Sequence, residues 1–265
     1  MTRWVAGLDG CRGAWAGALL DLDDPGRHRC ARFPDVAALL DAPERPLVVG
    51  IDVPIGLPDR IVGRGRAADL AARARLGPAR SSVFPMPPRA AVYAPDYAAA
   101  KAASRAASEP PFAPSIQGYN IFRYVRAVDT LLRERPEARD RIHEVHPEVA
   151  FHALNGDRPL GLSKKGPRAR AGLDLRRALL AAASLPAALI DARVRGIPED
   201  DHLDALAALV VARDILEGCA RPLPAVPERD AHGLPVVIWT PAVRTIAAEP
   251  DAPAVPPSRP PSGTE

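Results

Sequence analysis

Apolar positions in the first part of the chain come in short, uninterrupted runs, which is the pattern of buried strands. Residues 4–9 and 14–20 form two such runs, and the four residues between them include two glycines, so a hairpin is predicted. A third strand is predicted at 28–33, followed by a short helix at 34–40. The continuous apolar run at 46–53 is typical of a strand buried on both faces.

Helical spacing of apolar residues dominates the rest of the chain. Residues 59–139 are rich in alanine and arginine and are interpreted as a largely helical insertion. A further strand at 142–146 is followed by helices at 173–183 and 198–217, and a last short strand is predicted at 233–240. Strands that alternate with helices in this order predict an α/β fold, with a mixed sheet flanked by helices.

The end of the folded region is predicted from the position along the chain after which few apolar residues are left to form a core. Residues 1–243 are interpreted as one domain that contains the helical insertion. The tail at 244–265 is dense in proline and has little apolar material to bury, so it is predicted to be disordered.

Composition narrows the class of protein. The chain has 265 residues, of which 47% are hydrophobic, but it contains no apolar run of about 18 residues that could span a membrane and no secretory signal. Its three cysteines form no CxxC pair, which argues against a disulfide framework or zinc site and favours the cytoplasm. Net charge is only +3, so the sequence pI of 9.0 is weak evidence for a nucleic-acid partner.

Carboxylates recur where the predicted strands end, and sheets of this class bind ligands at that edge. Asp9 ends the first strand, Asp52 lies near the end of the buried run, and Glu144 lies inside the later strand. Asp201 and Asp204 lie at the start of the helix at 198–217. Helical spacing from these two aspartates continues through apolar positions, so both carboxylates extend the stripe that should face the sheet.

Each acid also has an ordinary structural explanation. Asp9 can form part of the hairpin turn, and Asp52 can simply end a strand. Asp201 can cap its helix, and Glu144 can pair with a buried arginine. Two carboxylates about 4 Å apart repel by roughly 4 kcal/mol at an effective dielectric constant near 20, so a converging set predicts bound cations.

Oxygen ligands without cysteine favour Mg²⁺ or Mn²⁺. Paired hard cations under a carboxylate cluster stabilise both the attacking and the leaving oxygen of an in-line phosphoryl displacement. Arginines of the insertion suit bidentate phosphate contact, although a solvated helix face explains them equally well.

A series of motifs spread over residues 3–241 resembles the family of predicted RNase H-fold nucleases, known mainly as a domain of unknown function (DUF429-type). The motifs are GLDGCRGAW, GIDVPIGLP, SVFPMPPR, EVHPEVAF, LSKK and DDHLDALAAL. The resemblance implies an RNase H-like fold with a carboxylate metal site. The catalytic residues that it implies are Asp9, Asp52, Glu144, Asp201 and Asp204.

The metal ligands expected within this set are Asp9, Asp52, Glu144 and Asp204. Other polar positions match the family, and the residues expected to bind substrate are Arg66, Arg89, Gln117 and Lys165. His143, His146 and Glu148 receive no role.

The function that the sequence favours is a metal-dependent phosphodiester hydrolase, a predicted nuclease that acts on nucleic acid. Two alternatives remain open. Some ATP-dependent phosphotransferases share the superfold and cradle phosphate in a similar Asp-Gly hairpin, but they usually carry a second glycine-rich phosphate loop, for which this chain offers no clear counterpart. A non-catalytic nucleic-acid-binding module could also have this fold.

Overall fold

The structure, a computed structural model, describes residues 2–167 and 169–243, so the tail predicted to be disordered at 244–265 lies outside it. In chain order the strands are β1 (Trp4–Cys11), β2 (Ala14–Asp21), β3 (His28–Phe33), β4 (Val48–Ile51), β5 (Ile61–Val62), β6 (Ser108–Glu109), β7 (Ile142–Glu144), β8 (Arg221–Arg229) and β9 (Pro235–Thr240). The α-helices are α1 (Val36–Leu40), α2 (Ala67–Leu76), α3 (Arg89–Val92), α4 (Tyr97–Ala106), α5 (Ile116–Asn120), α6 (Phe122–Glu134), α7 (Pro147–Leu154), α8 (Ala169–Ala182), α9 (Ala187–Ile190) and α10 (Glu199–Leu216).

Five strands form the central sheet, in the order β3-β2-β1-β4-β7. The predicted hairpin joins β1 to β2, and β2 pairs with β3, both antiparallel. β4 is parallel to β1, and β7 is parallel to β4. The prediction of a mixed sheet flanked by helices is therefore confirmed.

Alternation along the strands divides the interior into two cores. Ala6 and Leu8 of β1 join a core on one face, which also contains apolar residues of α1 and α6. Val5 of β1 and Val48 of β4 join the core on the other face, where they meet α10. Side chains two residues apart on a strand share a face, so each acid near a strand end belongs to one core side or the other.

Helix α10 lies directly against the sheet because two strand residues beneath it lack side chains. Gly7 and Gly50 are partners in the parallel register of β1 and β4. A Cβ at Gly7 would lie 2.0 Å from the carbonyl oxygen of Ala205, and one at Gly50 would lie 2.3 Å from that of Ala208. This close approach fixes the first turns of α10 beside the carboxyl ends of β1 and β4.

Strand β8 was not predicted from the sequence. Three of its residues are proline, which hides the alternation of a strand, and it pairs with β9 alone in a separate two-stranded sheet. Proline is tolerated on such an edge because no ladder hydrogen bond is lost there. The region at 59–139 contains α2 to α6 and the short β5–β6 pair. Among the described residues, no helix is long and apolar enough to cross a membrane.

Candidate metal centre

Asp9 and Asp52 lie next to each other at the carboxyl ends of two parallel strands. Leu8 and Ile51 are register partners, and the backbone N–H of Asp52 donates to the carbonyl oxygen of Leu8 at 3.0 Å. The aspartates are the next residue on each strand, and both belong to the face covered by α10. Parallel pairing thus brings together two carboxylates that are distant in sequence.

Helix α10 adds Asp204 and Asp201 to this pair. Asp204 is only 4% exposed and Asp201 is half-buried. Burial, followed by the charge of Asp204, raises the pKa of Asp52 to about 7. Burial and then the charges of Asp52 and Asp204 hold the pKa of Asp9 well above its usual range. The four carboxylates, which we call the acid cluster, therefore interact strongly.

A lysine from the loop before α8 enters the acid cluster. Lys164 forms an ion pair with Asp204, and its Nζ lies 3.9 Å from Oε1 of Glu148. Burial alone would lower the pKa of Lys164, but the surrounding carboxylates, Asp204 first, raise it. The ammonium group thus acts as an internal cation for carboxylates that would otherwise repel one another.

The acid cluster leaves one buried carboxylate oxygen that is available to a divalent cation. Oδ1 of Asp204 is buried and has no hydrogen-bond partner, although Oδ2 is bound to Lys164. A buried carboxylate oxygen without a donor is costly, and a metal ion is one way to satisfy it. The cluster's ligands are all oxygens, which suits Mg²⁺ or Mn²⁺.

A cavity of about 740 Å³ opens above the acid cluster. Asp9, Asp52, Asp201 and Asp204 line it together with cationic residues that include Lys164, Lys165 and Arg176. Arg176 is held by Glu148 through two hydrogen bonds of 2.7 and 2.9 Å. Carboxylates and cations in one cavity can hold a metal and a phosphate side by side.

Glu144 does not join the acid cluster, which corrects its expected role as a metal ligand. It pairs with Ile51 in the register, one residue before Asp52, so alternation sends its side chain to the opposite face of the sheet. Its two oxygens accept hydrogen bonds from Arg66 at 2.6 and 2.9 Å. The ordinary explanation of Glu144, a buried ion pair with an arginine, describes the structure.

Arg66 likewise forms buried ion pairs, although it also lines a smaller cavity that adjoins the acid cluster. It is 1% exposed, and its guanidinium lies between Glu144 and Asp69. Arg89 pairs with Asp129 and Asp230, at 2.6 and 2.8 Å, and is outside the residues that line the cavity. Both Nη atoms of each guanidinium donate to carboxylates, and Nε of Arg89 is buried without a hydrogen-bond partner, so these two arginines have little capacity left for phosphate.

The other two residues expected to bind substrate are exposed. Lys165 lines the large cavity next to Lys164, so its place agrees with a substrate contact. Gln117 is exposed on α5 and is outside the residues that line the cavity.

Two residues of the site were missed from the sequence. Lys164 was passed over for its neighbour Lys165, because nothing in the LSKK motif says which lysine points inward. Arg176 lies within the buried stripe of α8 with Gly172, Leu179 and Leu180. An arginine at an apolar stripe position is the signal that could have identified it.

A different set of potential ligands lies at the far end of α10. Within the described ranges, one oxygen of Asp214, one of Glu217 and the sulfur of Cys219 lie within 4.8 Å of one another, a spacing that no three carboxylates of the acid cluster reach. Asp214 already accepts hydrogen bonds from Arg213 and from the backbone of Ala242. None of these three residues lines the large cavity above the acid cluster.

Comparison with known proteins gives a family for the chain. Residues 7–229 match the model of a family described as a protein of unknown function (DUF429). The chain belongs to the DUF429 family. No curated protein matches it, and no solved structure does. Membership of the DUF429 family is therefore confirmed, whereas the nuclease activity implied by the resemblance stays a prediction.

The raised pKa of Asp52 in this DUF429 protein predicts a pH dependence. A carboxyl group whose pKa is higher in the folded state stabilises the fold below its unfolded pKa, and this contribution is lost as pH rises through the folded pKa. For Asp52 the window runs from 3.8 to about 7. We expect the free energy of unfolding of the wild type in EDTA to fall, relative to Asp52→Asn, across about pH 4 to 8.

The comparison with Asp52→Asn is needed because buried histidines act in the opposite direction. Burial lowers the pKa of His143, His146 and His202, so their contribution to stability is lost as pH falls. These histidines are present in both proteins and largely cancel in the difference. Urea denaturation at several pH values measures the difference in free energy of unfolding between the wild type and Asp52→Asn. If that difference does not change with pH, the pKa of Asp52 is not raised.

Proposed function

We propose that this protein is an RNase H-like, metal-dependent phosphodiester hydrolase that acts on nucleic acid. The observation that supports the proposal best is the convergence of Asp9, Asp52 and Asp204 at the carboxyl ends of two parallel strands, with an unpartnered buried oxygen on Asp204. Mg²⁺ or Mn²⁺ bound there would supply Lewis-acid stabilisation of the attacking and leaving oxygens of a phosphodiester.

Different residues around that metal would bind the metal and the substrate. Asp9, Asp52 and Asp204 hold it, and Asp201 lies closer to solvent, where burial and then the charges of Asp200 and Asp204 raise its pKa to about 6. Lys165 is exposed on the wall of the large cavity and is placed to meet a phosphate of the substrate. The cavity wall carries both negative and positive charges. The carboxylates suit a metal cation, and the lysines suit the anionic substrate that the cation would hold.

His146 is proposed as the proton acceptor of the reaction. Its Nε2 lies 3.3 Å from the carbonyl oxygen of Ser82, so Nε2 must carry the proton and donate it. This leaves a lone pair on Nδ1, which is buried and has no hydrogen-bond partner. His146 lines the cavity with Asp9 and Asp52, and burial lowers its pKa, which keeps the ring neutral and able to accept a proton from water.

Binding of Mn²⁺ tests the proposal. Calorimetry should show that the wild type binds Mn²⁺ in EDTA-free buffer and that Asp9→Asn does not, because the substitution removes one charged ligand while keeping the side-chain shape. Asp59→Asn is the matched control, since Asp59 is exposed and is outside the residues that line the cavity.

Activity is measured in parallel on a single-stranded oligonucleotide and on ATP, each with Mn²⁺ or EDTA. We expect metal-dependent cleavage of the oligonucleotide, lost in Asp9→Asn and kept in Asp59→Asn. ATP turnover without oligonucleotide cleavage would favour a phosphotransferase. Oligonucleotide binding that needs no metal, with no cleavage, would favour a non-catalytic module. Equal Mn²⁺ affinity in the wild type and Asp9→Asn would refute the metal site itself.

A further inference from the structure

A second, smaller cavity adjoins the large one at the acid cluster. Its volume is about 170 Å³. The two cavities share Asp9, Asp52, Ser82, Phe84 and His146 among their lining residues. Two of the three aspartates proposed to bind metal, Asp9 and Asp52, therefore lie where the two cavities meet, and a molecule held across both cavities would place its middle over the metal site.

The small cavity has the size and the lining for one planar ring system. An engineered protein cavity of about 150 Å³ holds a benzene molecule, so about 170 Å³ accommodates a single base and excludes a base pair. Besides Asp9 and Asp52, the cavity is lined by the ion-paired side chains of Arg66, Asp69 and Glu144. The rest of its wall includes the apolar side chains of Val53, Met86 and Ile238 and the rings of Phe84 and Tyr124. Aromatic and apolar side chains together with convergent polar groups are typical of small-molecule sites, where the polar groups fix the orientation of the ligand.

Tyr124 forms a rigid wall of the small cavity. Its hydroxyl accepts the backbone N–H of Gly13 at 3.1 Å, and its ring lies edge-to-face against Trp15 with 5.1 Å between centroids. A Cβ at Gly10 would come within 3.2 Å of the tyrosine ring, so the strand approaches it closely. Because three contacts already fix the side chain of Tyr124, binding of a ring would not cost the entropy of ordering it.

Phe84 lies where the two cavities join, and its aromatic ring is partly exposed there. It is 36% exposed and lines both cavities. It lies in the proline-rich segment after Val83, directly before Pro85, which restricts the backbone around it. Exposed aromatic rings are the side chains on which proteins stack unpaired bases, next to cationic groups that follow the phosphates.

We propose that the small cavity binds one unstacked base, with the phosphate of the same nucleotide over the acid cluster and the rest of the strand in the large cavity. This inference rests on the proposed function and adds its substrate class. The preferred substrate is single-stranded nucleic acid or an unpaired end, because a base inside a duplex would first have to leave its stack. Stacking supplies binding that every base can use, so little sequence preference is expected.

The contribution of the base is measured with a ligand that needs no cleavage. In calorimetry with Mn²⁺, the wild type should bind thymidine 5′-monophosphate about tenfold more tightly than deoxyribose 5-phosphate, which lacks the base. Phe84→Ala should remove most of this difference, and Phe84→Trp should keep it. Ile116→Ala is the matched control, since Ile116 is a 47% exposed apolar residue outside both sets of lining residues. It should behave as the wild type.

The second measurement compares cleavage of a single strand with cleavage of a blunt duplex of the same sequence. We expect the single strand to be cleaved at least tenfold faster, with the preference reduced in Phe84→Ala mainly through KM. Equal affinity for the two phosphates, or weak binding of both, overturns the base site, as does equal cleavage of single strand and duplex. The proposed function fails separately, through absent Mn²⁺ binding or an Asp9→Asn variant that binds Mn²⁺ normally.

Discussion

Replacing Lys164 with methionine should destabilise the metal-free protein by about 3 kcal/mol, because breaking a buried ion pair leaves an uncompensated charge. The ammonium is the cation closest to Asp204, whose other oxygen already lacks a partner. Without it, the acid cluster would retain several carboxylates with no opposite charge in their midst. Urea denaturation in EDTA measures the loss as a change in the free energy of unfolding.

Mn²⁺ should reverse most of this loss, because a metal ion bound to the folded state replaces the missing positive charge. Methionine has a length close to that of lysine and fills similar space, so the comparison isolates the charge. Lys165→Met is the matched control: its side chain is the exposed neighbour, and the variant should unfold with nearly the wild-type free energy in both buffers. If Lys164→Met is as stable as the wild type in EDTA, or if Mn²⁺ does not restore it, the acid cluster does not require a cation.

The sequence was sufficient to predict those acids of the site whose placement follows from local rules. Asp9 and Asp52 lie at the ends of predicted strands. The carboxyl ends of parallel strands lie at the same edge of a sheet, and this does not depend on how the rest of the fold packs. Asp204 continues the apolar stripe of its helix, so its direction follows from helical spacing alone. For these residues the position in the element was sufficient.

The errors came from features that local patterns do not contain. Whether Glu144 faces Asp52 depends on the register between β4 and β7, and a shift of one residue reverses the face. Which of Lys164 and Lys165 points inward depends on the path of a loop without periodicity. The ion pair with Lys164 also means that neutralising Asp204 would remove an attraction along with a repulsion, so Asp52 is the better residue for measuring the repulsion.

Replacing Arg66 with methionine should lower the free energy of unfolding by about 4 kcal/mol, the second large effect expected. The guanidinium donates to Glu144 and to Asp69 at 2.7 Å or less, and its Nη1 also donates to the carbonyl oxygen of Ile55 at 2.7 Å. It thus joins β7, the start of α2 and the segment after β4. Its removal leaves two buried carboxylates without a cation in the part of the fold that supports the candidate site.

A double-mutant cycle keeps this prediction testable if the single variant is too unstable to purify. Glu144→Gln removes one of the stranded charges, so Arg66→Met combined with Glu144→Gln should lose less stability than the sum of the single losses. Arg64→Met, at an exposed arginine nearby, should change stability little. If Arg66 contacted substrate instead, Arg66→Met would fold with wild-type stability and weaken oligonucleotide binding in a salt-dependent way. That result would return Arg66 to the substrate site, and it would imply that the ion pairs with Glu144 and Asp69 add little to the fold.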